Sequence, residues 1–424
     1  MGMQANSGQP RIVVLGGGFG GLEAAFYLRM RLGDRARITL VSDRDRFLFK
    51  PNTIYIPFGL DPERLMIPLA EPARRKAIAL IVSPVREIDP ARQEVRVDGQ
   101  TIPYDYLVVA TGAGMRPEEI PGLAEHAYTI WTPEEMLRLR AGIQKLIEKA
   151  REGQNQEVLF VVPPNNKCSG PLYEIVFMLD TWLRRQGVRS RVSITYTTYE
   201  QGFIQAFGPR LHTVVTEEFS RRGITGHTRY VVERVEPGRV FYRNGEVLTY
   251  DLLISFPPYV AAASFPSLPA DDRGFIQTVL ETRQVVSHPN IYAVGDAADF
   301  PVKQAFLALL QGDTAAEQIA ARVLGHEPKL QFEPTSMCVM EQFDKATFAQ
   351  VPLRVTGRPD LPVEVREDAV GLYKVGSSGL WRLGKTLLGI YLPWRFRNGE
   401  PFHAGLPWEG MELGLKVMSA VLAR

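Results

Sequence analysis

The sequence predicts an α/β protein of two tandem Rossmann-like, doubly wound domains followed by a C-terminal amphipathic region. Three observations predict it: a strand, glycine-rich turn, helix and strand at the N-terminus; a second strand, helix and strand set further inside; and apolar residues at helical spacing near the C-terminus. With 424 residues, 45% of them hydrophobic, the chain is long enough for two or three domains with their own cores. Its net charge of +2 supplies no basic field, and no aromatic-plus-basic stretch points to nucleic acid.

The first element is RIVVL, residues 11–15, a β-branched strand that runs into GGGFGG and then the helical stretch LEAAFYLRMRLG. The next strand is ITLVS, 38–42. Gly16, Gly18 and Gly21 have the G-x-G-x-x-G spacing. One glycine allows the tight turn, one lets backbone approach a pyrophosphate, and one lets helix pack on strand. The acidic residue expected at the end of the second strand is offset: Ser42 stands there with Asp43 beside it, so ribose contact is expected through one of these two.

Two later stretches bear on which dinucleotide binds. YDYLVVATGAGMRP, 104–117, is a strand running into Thr111 and Gly112, and IYAVGDAADF, 291–300, is a strand ending in Gly295 and Asp296. Each alone could be a strand and a turn. In this order and at these separations they resemble the two-dinucleotide-binding-domain flavoproteins, whose layout is glutathione-reductase-like and whose final Asp meets the flavin ribityl chain. The resemblance implies FAD, held by a discontinuous domain of residues 1–120 and 265–325. A second Rossmann-like domain, 121–264, then interrupts it, and 326–424 form the C-terminal region.

The inserted unit has the strand EVLFVV, a helix from about Leu172 to Gln186 and the strand VSITYT. A nicotinamide-binding unit would follow its first strand with G-x-G-x-x-G-x-E. This chain has Pro163, Pro164, Asn165, Asn166, Lys167, Cys168, Ser169 and Gly170. Proline lacks the N–H that cradles a phosphate, and the flanking side chains obstruct close approach, so NAD(P)H is not expected here. Cys168 precedes a helix start at Gly170-Pro171, where unpaired amides and the helix dipole are expected to lower its pKa. Glu174, six residues on, is a candidate proton carrier. The only other thiol is Cys338, and two cysteines so far apart would by themselves read as unrelated buried thiols.

The stretch NNKCSGPLYE resembles the redox-cysteine segment of the sulfide:quinone oxidoreductases, and TSMCVMEQFDKATFAQVP, 335–352, resembles the segment of their second redox cysteine. The resemblance runs from Arg11 to the C-terminal region. It implies that Cys168 and Cys338 act as a pair on sulfide, that Cys338 passes electrons to the flavin while Cys168 carries the growing sulfur chain, and that a membrane quinone is the acceptor. Many members carry a third cysteine in the linker; the matching stretch here is YTIWTPEEM with Trp131, so the FAD is expected to be noncovalent. Lys303 is either an ordinary residue at a helix start or, as the resemblance implies, the lysine that stabilises negative charge on reduced flavin. Three rivals share parts of the pattern: a flavocytochrome-type sulfide dehydrogenase, a type II NADH:quinone oxidoreductase, and a non-catalytic flavin-bound sulfur carrier.

In GLWRLGKTLLGIYLPWRFR, 379–397, Leu380, Leu383, Leu387, Tyr391 and Trp394 share one helical face, with Arg382, Lys385, Arg395 and Arg397 and no acid. Met411, Leu415, Met418 and Leu422 repeat the pattern in a second segment. An amphipathic helix most often faces a core; the interfacial Trp and the cations favour a monotopic anchor on a lipid surface. EPFH, 400–403, resembles the family's aromatic quinone segment, which implies quinone contacts through Phe402 and His403, with Tyr391 nearby. The opening MGMQANSGQP lacks the basic and apolar regions of a signal peptide, and no apolar run reaches the roughly 18 residues of a spanning helix. Peripheral attachment at the cytoplasmic face is therefore expected, with sulfide, quinone and lipid as partners and self-association open.

Overall fold

A computed structural model of the chain describes residues 8–423, so most of the N-terminal stretch that carries the no-leader expectation lies outside the described residues. Counting the main elements in chain order, β1 (Arg11–Leu15), α1 (Phe19–Leu32), β2 (Arg37–Ser42), β3 (Ala79–Val82) and β4 (Tyr106–Val109) come first. There follow β5 (Tyr128–Thr129), α2 (Pro133–Arg151), β6 (Gln156–Val162), α3 (Gly170–Arg185), β7 (Val192–Thr198), α4 (Gly208–Arg222), β8 (Thr225–His227) and β9 (Leu252–Ser255). The chain then returns to the first sheet with β10 (Ile291–Ala293).

Two five-stranded parallel sheets result, ordered β10-β4-β1-β2-β3 and β5-β9-β6-β7-β8. Their central strands read as continuous apolar runs because both faces are covered, one by helices and the other by a three-stranded antiparallel meander, 85–103 on the first sheet and 232–249 on the second; Ile12 to Leu15 and Val158 to Val162 are almost wholly buried. In each sheet the strand order changes direction beside one strand, β1 in the first and β6 in the second, and the loops that follow these strands are where a ligand-binding crevice opens.

After β10 comes α5 (Ala305–Leu324), which packs on α1. Small residues permit the approach: a Cβ on Gly312 would come within 2.8 Å of the Gly20 carbonyl oxygen. The C-terminal part adds β11 (Thr335–Glu341), β12 (Ala346–Arg358), β13 (Leu361–Val365) and β14 (Lys374–Ser378), an antiparallel sheet in which β12 pairs with the other three. Two helices close the chain, α6 (Gly379–Arg397) and α7 (Gly405–Leu422). Trp381 at the start of α6 stacks on Phe348 of β12 with ring centroids 4.0 Å apart, which fixes that helix to the sheet.

The two-domain architecture of the sequence reading is present. Two local expectations are corrected. Lys303 does not open the helix after β10, because α5 begins at Ala305 with Gln304 as its N-cap. In α7, Leu415, Met418 and Leu422 do not face outward; they pack against Phe348 and Trp381, while Leu406, Leu413, Val417 and Val421 form the exposed row.

Candidate active site

The loop 163–169 leaves β6 at the crevice and is closed by its own side chains. Asn165 sits at φ 65°, a left-handed conformation that Asn tolerates, and its carbonyl accepts a bond from Tyr259 N at 3.0 Å. Asn166 is buried; its Nδ2 donates to the Phe256 carbonyl at 2.8 Å and its Oδ1 accepts from Cys168 N at 3.0 Å. Tyr199 Oη donates to the Asn166 carbonyl at 3.2 Å. The Lys167 carbonyl accepts from Lys303 N at 3.1 Å, pinning the loop to the segment before α5. These internal bonds fill the place where a nicotinamide-binding loop would leave bare amides. Asn166, the clamp that positions Cys168, was missed in the sequence; the Asn-Asn pair ahead of the cysteine was the available signal.

Cys338 lies mid-strand in β11, opposite Ala349, and β11 packs along α3, whose N-terminus follows Cys168. The two thiols are close enough for a charge on Cys168 to raise the pKa of Cys338. Both are free and only partly exposed. The expected lowering at Cys168 is corrected: burial and the Asp296 charge push its thiol up to about 12, and the Gly170 N–H at the helix start opposes them without prevailing. Burial and the Glu174 charge likewise push Cys338 up, with Lys385 opposing. Packing therefore outweighs the helix terminus, and both groups rest as neutral thiols.

Glu174 is buried on α3 between the two thiols' elements. Its Oε1 accepts from Glu341 N at 2.8 Å and from Lys385 Nζ, which also donates to the Val339 carbonyl at 2.7 Å. Burial raises its pKa, and Lys385 is the largest opposing influence. Beside it, Glu341 accepts from Tyr55 Oη at 2.7 Å and from Arg382 Nε at 2.9 Å. So two cations of α6 turn inward instead of lying on an outer face. Arg395 does the same, bonding the Pro401 and Ala404 carbonyls; Arg382 keeps part of its side chain in solvent, and Arg397 is exposed.

Around β1 the glycines meet the demands of a bound dinucleotide. Gly16 has φ +116°, and a Cβ there would lie 2.2 Å from the Ala110 carbonyl oxygen; a Cβ on Gly21 would lie 1.9 Å from the Gly16 carbonyl oxygen. Gly18 is the N-cap of α1, has no side-chain cap, and a Cβ on it would meet nothing. Bare amides thus face open space at a helix N-terminus, the chemistry a pyrophosphate requires. Ser42 is buried under the loop, its hydroxyl 2.8 Å from where a Gly17 Cβ would be, while the Asp43 side chain is exposed beside Arg44. Thr111 and Gly112, at φ +80°, follow β4, and Gly295, at φ +64°, precedes Asp296.

Asp296 is flanked by two cations. Burial raises its pKa, with Lys303 and Lys50 opposing. Lys303 is buried, donates to the Ala298 carbonyl, and lies 3.8 Å from the Phe275 ring centroid. Lys50 lies 3.0 Å from the centroid of Trp131. Burial lowers each lysine to about 7 against the pull of Asp296. Lys50 is a second residue the sequence reading missed, since nothing in FLFKPNTIY marks it.

At the junction of α6 and α7, Tyr391, Phe402 and His403 come together. Tyr391 and Phe402 meet edge to face at 5.7 Å, and Phe402 and His403 at 4.6 Å. Along α6 the outward row is Leu380, Leu383, Leu387, Ile390 and Trp394, with Tyr391 turned toward Phe402. Among the described residues no helix is long and apolar enough to cross a membrane.

Comparison with known proteins places this geometry among relatives. Residues 10–158 match the family described as pyridine nucleotide-disulphide oxidoreductase. The chain is 29% identical to a sulfide-quinone reductase of Aquifex aeolicus, over 92% of this chain and 91% of that one. It is 24% identical to the type II NADH:quinone oxidoreductase NdhA of Mycobacterium tuberculosis, over 82% and 78%. The crystal structure of the Aquifex aeolicus sulfide:quinone oxidoreductase superposes with a TM-score of 0.82, at 24% identity and 96% coverage of both chains.

Proposed function

We propose that this chain, a member of the sulfide:quinone oxidoreductase family of two-dinucleotide-domain flavoproteins, oxidises sulfide at Cys168 and Cys338 and delivers the electrons to a membrane quinone. The chain is an FAD-dependent oxidoreductase, and the glycine cradle around Gly16, Gly18 and Gly21, with Asp43, Thr111, Gly112, Gly295, Asp296 and Lys303, would hold the cofactor noncovalently. When bound, FAD takes an electron pair from the sulfur site and yields it to the acceptor. The single observation that carries the reading is the juxtaposition of the two thiols with the Asp296 and Lys303 segment that borders the flavin site.

The residues suit this chemistry in a particular way. Neutral, high-pKa thiols are poor nucleophiles, so sulfide supplies the attack: the oxidised pair is attacked by HS⁻, one cysteine gaining a sulfane sulfur and the other leaving as a thiolate that needs local stabilisation. Each leaving thiolate has a stabiliser, the Gly170 N–H at Cys168 and Lys385 at Cys338. Glu174, paired with Lys385, is placed to accept or return the proton. Asn166 holds the Cys168 backbone while the sulfur chain grows on it. The exposed apolar rows of α6 and α7 would rest on the lipid surface, bringing Tyr391, Phe402 and His403 to the level where a quinone head arrives.

The NADH reading is opposed by the loop 163–169, whose clamp bonds occupy the place of a second nucleotide cradle. Identity alone does not separate the two readings, since both kinds of relative are similar to this chain. The test is anaerobic titration of the flavin: sulfide should bleach it and decylubiquinone restore it, and Cys338→Ser should abolish the bleaching. Bleaching by NADH without bleaching by sulfide would overturn the reading.

A further inference from the structure

Two buried carboxyls and a partly buried imidazole lie at the other end of α6. Glu23 of α1 accepts from Phe402 N at 2.8 Å through each carboxylate oxygen, and from His403 N at 3.4 Å. Asp313 of α5 lies 2.5 Å from His403 Nδ1, and the Glu23 and Asp313 carboxyls are also in hydrogen-bond contact. The close packing of α1 on α5 through Gly20 and Gly312 is what brings the two acids together.

Neither acid has a Lys or Arg partner among the described residues. Arg395 of α6 is engaged by the Pro401 and Ala404 carbonyls. The other groups facing the cluster are Glu412 of α7, Tyr391 of α6, Tyr27 of α1 and Glu317 of α5; the cation at that edge, Arg31 of α1, is paired with Glu317 at 3.2 Å. Two unpaired carboxylates in a dry site are too costly to remain ionised, so the cluster holds protons. Burial accordingly raises Glu23 well above the carboxylate range and Asp313 to about 7, and lowers His403.

Two buried polar atoms of the cluster lack partners. His403 Nε2 has no partner, and the imidazole is walled edge-on by Phe306, Phe402 and Trp408 at 5.6, 4.6 and 4.6 Å. Asp313, 5% exposed, keeps Oδ1 unpartnered as well. An imidazole whose Nδ1 is engaged by a carboxyl, and whose Nε2 points into an aromatic surround, is set to pass a proton to something that enters there.

We propose that Glu23, Asp313 and His403 form a proton store that supplies one proton per turnover to the quinone through His403 Nε2. The proposal rests on the quinone-acceptor reading above. A quinone takes two electrons and two protons; reduced flavin supplies the electron pair with one proton, the store supplies the other, and solvent refills it. His403 touches the substrate, whereas Glu23 and Asp313 act through it.

The test reduces the holoenzyme with dithionite and follows flavin reoxidation by decylubiquinone across pH, so that it does not depend on sulfide. Asp313→Asn should slow reoxidation on the order of 10-fold to 100-fold and remove the pH dependence near neutrality. Asp313→Glu should recover part of the rate. Reoxidation by ferricyanide, which takes electrons without protons, should be unchanged, and the infrared absorption of buried protonated carboxyls should lose the Asp313 component in Asp313→Asn while that of Glu23 stays. Equal slowing with both acceptors, an unchanged quinone rate, or a stoichiometric divalent cation lost in the variant would each overturn the proposal. If sulfide fails to bleach the wild type while quinone reoxidation still depends on Asp313, the donor reading falls and the store stands.

Discussion

Replacing Lys385 by Met isolates the ion pair that ties α6 to the thiol site. Its side chain is 10% exposed and that of Glu174 9%, which puts the pair in the buried regime. Removing one partner there costs about 3 to 5 kcal/mol, against about 0 to 1 kcal/mol for a surface pair. Glu341 N still bonds Glu174, so the lower end, about 3 kcal/mol, is expected for Lys385→Met. The stranded carboxyl then rises further in pKa, because Lys385 is the main influence opposing burial. A carboxyl whose folded pKa is raised contributes stability below its unfolded value and loses it as pH rises through the folded value. The deficit should therefore be larger at about pH 8 than at about pH 5, and Lys385→Met with Glu174→Gln should recover most of it. Urea unfolding followed by tryptophan fluorescence reads all three proteins. A deficit below about 1 kcal/mol, equal at both pH values and not recovered in the double variant, would refute the buried-pair account.

Other outcomes follow from local geometry. Gly21→Ala should fail to retain FAD, read by flavin absorbance after gel filtration, because its Cβ would stand 1.9 Å from the Gly16 carbonyl oxygen and force α1 off β1. Asn166→Ala leaves the Phe256 carbonyl and Cys168 N without partners and should cost about 1 to 3 kcal/mol, with faster alkylation of Cys168 by iodoacetamide as the site-specific readout. Val417→Glu, on the exposed row of α7, should reduce sedimentation with lipid vesicles and leave the melting temperature unchanged; Leu415→Glu, against Trp381, should lower the melting temperature instead.

Features that impose a demand on the local backbone were legible in the sequence. Gly16 and Gly21 are glycine because the neighbouring carbonyls leave no room for a Cβ, and the strand, turn and helix around them carry the same message. The prolines of 163–169 were legible as the loss of a nucleotide cradle for the same reason. Pairings made across the fold were not. Glu174 and Lys385 are 211 positions apart, and Glu23 and His403 are 380 apart, so no window of sequence contains both. The thiol pKa of Cys168 was misjudged because the helix terminus is local and visible, whereas the packing that outweighs it comes from β11 and the Asp296 segment. In α7 the outward face was misassigned because apolar residues recur at helical spacing on two sides, and periodicity alone does not say which one meets Trp381.

Helix α6 carries Lys385 to the sulfur site and, six residues later, Tyr391 to the aromatic pocket, a rise of about 9 Å along one rod. On the function proposed above, the two ends of the electron path are thus built on a single lever, whose exposed row is apolar. A tilt of that lever displaces both ends together, so a detergent that seats the helix differently from lipid would change oxidation and reduction half-reactions in concert. Tuning one half-reaction by adaptation would then have to proceed through residues off this helix, leaving α6 itself as the part of the enzyme least free to drift.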